Sequence, residues 1–177
     1  MKKNKVRKIT EVKPKEGRFI NPEERVRRFQ ESIELFYSSM EREWLSTLNT
    51  REGHVESKER EYEIFEKGLE NYKVIIKEII IDNMRLFFKP VGTMFQGLYG
   101  RIDLIYGARS EMFVLIGKEI MSPRQLLDRI DLEDSGTTPF PPLCELEWKY
   151  VSKYPDLKYE TIDTDVFFKI IKRVIHG

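Results

Sequence analysis

One cysteine, Cys144, occurs among 177 residues. No intrachain disulfide can therefore form, and the expected setting is a reducing cytoplasm. Histidine is almost as scarce. His54 and His176 are far apart, there is no His-x-x-x-His or Cys/His ligand spacing, and Cys144 has no evident base beside it. Zinc-site and papain-like thiol chemistry therefore have no visible basis. A Gly-Lys-Ser/Thr phosphate loop and a Gly-x-Gly-x-x-Gly fingerprint are both missing, so ordinary nucleotide cofactors have no recognisable cradle. Apolar runs fall short of the roughly 18 residues that a membrane span needs, and the first twenty residues are charged rather than apolar. Neither a membrane span nor a secretory leader is expected.

The chain is 40% apolar and 34% charged, enough for one core under a heavily charged surface. The net charge of +1 hides an uneven distribution. Residues 1–16 hold seven basic side chains (Lys2, Lys3, Lys5, Arg7, Lys8, Lys13 and Lys15) against Glu11 and Glu16, a local charge of +5 that leaves −4 for the remainder. We expect residues 1–16 to be a basic flexible tail and residues 17–177 a single α+β domain. Such a tail suits a protein partner, a nucleic acid or another acidic surface, and it also suits a merely solubilising terminus.

Asn21-Pro22-Glu23-Glu24 predicts a helix start: a capping asparagine, proline at the first helical position, and acids at the positive end of the dipole. Val26, Phe29, Ile33, Phe36, Met40, Trp44 and Leu48 then trace one helical face. After a loop around Gly53, Ser57 can cap a second helix, in which Tyr62, Phe65, Leu69, Tyr72, Ile76 and Ile79 follow steps of three and four. The pair predicts a long helical hairpin over about 22–81. From Met84 the glycines punctuate short extended segments, and Tyr99–Tyr106 and Glu111–Lys118 read as strands of an antiparallel meander. Ser122-Pro123-Arg124-Gln125 opens a short helix, and Asp131–Pro142 reads as a loop. Strands resume at Leu143–Val151 and Lys158–Ile162. A final helix, capped by Asp163 or Thr164, carries Val166, Phe167, Ile170, Ile171, Val174 and Ile175. The expected sheet, over about 84–177, has four or five strands with the short helix and the C-terminal helix packed on it.

Chemistry is concentrated in acids. Gly100-Arg-Ile-Asp103 places Asp103 on a strand, and Glu147-Trp-Lys149 places Glu147 and Lys149 on one face of another. Two carboxylates could hold Mg²⁺ while the amine stabilises developing charge. With these residues the chain locally resembles the PD-(D/E)XK nuclease superfamily, whose pattern is a strand-borne Asp followed by Glu-x-Lys within an αβββαβ core. The resemblance implies that Asp103, Glu147 and Lys149 are catalytic and that Mg²⁺ is the cofactor. The strand directly after Asp103 offers Ile116-Gly117-Lys118 instead, with an apolar residue at the metal-binding position. Alternation on a half-buried sheet also accounts for all three residues. Among the aromatics, Trp44 and Trp148 read as packing residues. Phe95, Tyr99, Tyr106 and Phe140, if gathered with Arg101 and Arg109, would form a single-strand binding surface.

Three functional readings follow. The first is a non-catalytic interaction or adaptor protein without a cofactor, whose basic arm engages an acidic partner, nucleic acid included. The second is the Mg²⁺-dependent nuclease, or a decayed relative. The third is a structural component that self-associates, as a homodimer, through the helical hairpin.

Overall fold

The computed structural model describes residues 21–52, 54–93, 95, 97–132, 140–153 and 156–177. Within them, one antiparallel sheet of seven strands runs in strict sequence order. The strands are β1 (Val55–Ile64), β2 (Tyr72–Ile81), β3 (Met84–Gly92), β4 (Gly100–Tyr106), β5 (Arg109–Gly117), β6 (Leu146–Ser152) and β7 (Lys158–Thr161). Helix α1 (Pro22–Ser39) continues through a π-helical segment, Met40–Leu45, into α2 (Ser46–Glu52). Helix α3 (Pro123–Leu132) separates β5 from β6, and α4 (Thr164–His176) follows β7. The seven basic residues of the expected tail, and the centre of the expected loop at 133–139, lie outside the described residues.

The helix ends form as local chemistry dictates. Asn21 Oδ1 accepts from the Glu23 amide at 3.1 Å, with Pro22 at the first helical position. At α4 the cap is Asp163, whose carboxylate accepts from the Val166 amide at 2.8 Å, satisfying one of the four amides a helix start leaves open. The apolar stripe of α1 and its π-helical continuation then lies on one face of the sheet, here the inner face. Phe29, Ile33, Phe36, Met40, Trp44 and Leu48 join Leu86, Phe88, Ile102, Leu104, Phe113, Trp148 and the apolar stripe of α4 in the main core. Trp44 stacks on Phe167 with ring centroids 4.8 Å apart, and the Trp148 indole donates to the Ser32 carbonyl at 3.0 Å. Both tryptophans are packing residues, as the sequence suggested.

The outer face carries a smaller core at one end, where Leu126 of α3 and Ile120 pack with Val114, Ile116, Val151 and Tyr159. Ile76, Ile80, Phe87, Val91 and Ile105 belong to neither core, yet each is half-buried by its sheet neighbours. Among the described helices, α1 and α4 contribute to the inner core and α3 to the smaller one, so the outer face of β1 to β4 has no helix packed on it.

The helical hairpin predicted over about 22–81 does not form: only its first arm is helical, and the second is the β1–β2 hairpin. The steps of three and four from Tyr62 to Ile79 arise because the apolar residues span two strands and the turn between them. Gly68, at φ +88°, sits in that turn. The β-branched clusters Val74-Ile75-Ile76 and Ile79-Ile80-Ile81 carried the strand signal, while β1 lacked one because it is a charged edge strand. This hairpin also corrects the strand count, from four or five to seven. Self-association through a second long helix loses the element it required.

Candidate functional site

The three residues of the nuclease-like pattern share the outer face but do not converge. Asp103 lies opposite Met112, and Glu147 lies opposite Ile116. Two strand spacings and a four-residue offset therefore separate them, about 16 Å between Cα atoms for ordinary strand geometry. Arg101 grips the Asp103 carboxylate in a bidentate pair, at 2.7 Å and 2.9 Å. Lys149 is fully buried. Its ammonium donates to the carbonyls of Lys118 at 2.6 Å and Ile120 at 2.9 Å, touches the Met121 sulfur at 3.0 Å, and stands 3.6 Å from Glu147. It thus ties the segment between β5 and α3 to β6, and its donors are already used.

The turn aromatics separate as well. Tyr99 and Phe140 are buried against each other, with ring centroids 5.1 Å apart, and Tyr106 packs on the main core. Arg109 donates to the Ile175 carbonyl at 2.5 Å, which anchors the end of α4. Only Phe95 and Arg101 remain together, the guanidinium 5.8 Å from the ring centroid.

That pair is one of three on the outer face of β1 to β4. Arg60 lies over the Phe87 ring at 5.6 Å, and Lys89 over the Tyr62 ring at 4.6 Å. Strand register explains the grouping. Lys58, Glu78, Phe87 and Ile105 form one row across four strands, and Lys89 lies opposite Asp103 in the next. Because side chains alternate, the odd-numbered positions of β3 before the register shift at Pro90–Gly92 point outward: Arg85, Phe87 and Lys89. The sequence shows this alternation in Arg85–Lys89 but does not show that the neighbouring strands align their own cations and aromatics beside it.

Five basic residues (Lys58, Arg60, Arg85, Lys89 and Arg101) and three acids (Glu56, Glu78 and Asp103) occupy this face. Their layering matters more than their number. The Glu78 side chain is 2% exposed, while the two guanidiniums bound to it, Arg60 at 2.5 Å and Arg85 at 3.4 Å, are 56% and 64% exposed. The hydrogen bond from Arg60, with the charges of Arg60 and Arg85, holds the Glu78 carboxyl below the ordinary glutamate range. A ligand approaching this face therefore meets the cations first. Lys89 has no carboxylate within ion-pair distance among the described residues.

Beside this face is a buried clamp. Glu66 accepts from the Thr93 amide at 2.7 Å, from the Thr93 hydroxyl at 3.2 Å and from the Tyr72 hydroxyl. Arg25 of α1 donates to the Thr93 hydroxyl at 2.9 Å and to its carbonyl at 2.5 Å. Burial first, and the neighbouring Glu66 second, push the Tyr72 phenol well above its usual range. Burial also lowers Arg25, against the pull of Glu66. The clamp fixes the start of the loop that carries Phe95, while Phe65, next to Glu66, is left 79% exposed.

The groove between α1 and the β1–β2 hairpin, about 580 Å³, is the opposite in charge, lined by Glu34, Glu41, Glu59 and Glu61 with Lys73 and Lys77. Lys77 is buried and paired with Glu41 and Glu59, so the groove presents acids rather than a free cation. No family model, curated protein or solved structure matches the chain.

Proposed function

We propose that the protein is a non-catalytic binding protein for single-stranded nucleic acid, with the outer face of β1 to β4 as its contact surface. The observation that carries this reading is the set of three aromatic–cation pairs, Tyr62 with Lys89, Phe87 with Arg60 and Phe95 with Arg101, on a face with no helix packed on it among the described residues. Every base has a π-face, so aromatic rings bind bases with little regard to sequence, and flanking cations follow the phosphates. The face from β1 to β4 is about 14 Å wide by ordinary strand spacing, which suits a few nucleotides. The seven basic residues within 1–16 add charge for a longer strand.

The test is fluorescence anisotropy of a labelled oligouridylate and of its duplex counterpart across a salt series. Preferential binding of the single strand, weakening steeply with salt, supports the reading. Equal or absent binding of both removes it. A protein partner is the second reading, favoured by the exposed Phe65, Met121, Leu127 and Leu157. That reading predicts binding of a protein with weak salt dependence and no affinity for the oligonucleotide.

A further inference from the structure

A second, smaller cavity lies on the inner face of the sheet, between the β6–β7 end and α4. It encloses about 310 Å³ and is lined by Tyr150, Ser152, Glu160, Lys169 and Arg173, with Val166 and Ile170 as its apolar wall. Ser152 is 7% exposed, and its hydroxyl makes no hydrogen bond to any described residue. No buried side-chain oxygen or nitrogen among the described residues lacks a partner, so this hydroxyl is not sealed in the core; it is open to the cavity that Ser152 lines, where it can serve an incoming acceptor. Lys169 and Arg173 are four residues apart on α4, so successive turns bring both cations to the same wall. Lys169 has no ion-pair partner among the described residues.

Arg173 is positioned before any ligand arrives. One of its amino groups donates to the Tyr150 hydroxyl at 2.9 Å, and that hydroxyl in turn donates to Glu111 at 2.9 Å. Lys153 stands 3.7 Å from Glu111 and offsets its charge. Four N–H bonds of the guanidinium remain for other acceptors. Glu160, opposite Tyr150 in the β6–β7 register, is the one acid among the described residues of the wall, against two cations.

We propose that this cavity binds a small oxyanion of the phosphoryl class, with Ser152 as a neutral donor and Lys169 and Arg173 as charged donors. The assignment is independent of the nucleic-acid reading, because it uses the opposite face of the sheet. The phosphoryl group has two sources, free inorganic phosphate and the terminal monoester of a larger molecule. A carboxylate on Glu160 also suits a ligand that carries a donor beside the anionic group.

The experiment is isothermal titration of the full chain with inorganic phosphate at constant ionic strength, with sodium chloride as the control titrant. A nucleoside 5′-monophosphate is titrated in parallel. One saturable site for phosphate is expected, weakened about tenfold or more by Lys169→Met, which removes a charge-assisted donor, and less by Ser152→Ala. Lys169 is exposed, so its replacement leaves the fold intact, and a circular-dichroism melt of each variant verifies this. Tighter binding of the nucleotide than of phosphate assigns a monoester, and the reverse assigns the free anion. Absence of saturation with either titrant, or saturation unchanged in both variants, overturns the proposal.

Discussion

The Lys89 ammonium stands 4.6 Å from the centroid of the Tyr62 ring, reaching from β3 across β2 to β1. Such a contact contributes about 0.5–1 kcal/mol at a partly solvated site. Its larger consequence is geometric. A cation that takes an aromatic ring rather than a carboxylate as its neighbour keeps its charge available to an incoming phosphate. Arg60 also lies over a ring on the same face, that of Phe87, but shares its charge with the Glu78 carboxylate.

Removing the rings should weaken oligonucleotide binding more than it weakens the fold. Phe87→Ala and Tyr62→Ala are each expected to lower affinity roughly five- to a hundredfold, the equivalent of about 1–3 kcal/mol per stacked base. Anisotropy titrations of the two variants give the result directly, and unchanged affinity in both would remove the stacking surface.

Salt dependence should count the cations. If the five basic residues of the outer face all contact phosphates, log affinity should fall with log salt at a slope near −3.5, from about 0.7 per contact for single strands. Replacing the seven basic residues within 1–16 by glutamine should reduce the slope of the full chain toward that value. A slope near zero in the unmodified protein would be incompatible with phosphate contacts.

Gly100 is required by close packing of α1 against β4. A Cβ placed there would come within 2.5 Å of Cε2 of Phe29, a fully buried ring. Gly100→Ala should therefore destabilise the protein by about 1–3 kcal/mol, the usual range for overpacking. Urea denaturation measures it, and wild-type stability would show that the helix shifts freely.

Lys149 should behave as a structural residue. Lys149→Met leaves the Lys118 and Ile120 carbonyls without their donor, at about 1–3 kcal/mol for the buried one, that of Ile120. A catalytic lysine would instead lose activity while stability held. Thermal melts of the variant, read beside Mg²⁺-dependent cleavage assays, separate the two.

Acid should loosen the outer face. Glu78 has a folded pKa held below its unfolded one by Arg60 first, so its contribution to stability is complete above the ordinary glutamate value of about 4.3. That contribution is lost as pH falls through the lowered folded value. Glu78→Gln should flatten this part of the stability–pH curve. An identical acid limb in variant and wild type would show that the ion pairs with Arg60 and Arg85 add nothing.

Local chemistry carried the legible part of the fold. Asn21-Pro22 and Asp163 start helices because side-chain oxygens satisfy amides a few residues away, and the stripe from Phe29 to Leu48 is buried where its period placed it. The meander from β4 to β5 was readable for the same reason: its alternation and its turn at Gly107, φ +58°, are near-neighbour features.

Tertiary structure decided the rest. Tyr62 to Ile79 satisfied a helical period by accident. The segment became two strands because Tyr72 and Val74 found partners in the main core and Lys77 found Glu41 and Glu59. Pairing register likewise brought Tyr62 and Phe87 to cations two strands away while placing Asp103 and Glu147 on separate parts of the face. Spacing along a chain determines which residues share a face of their own strand. Which strands lie side by side, and in what register, is set by how the two faces of the sheet are buried, and the composition of the site follows from that.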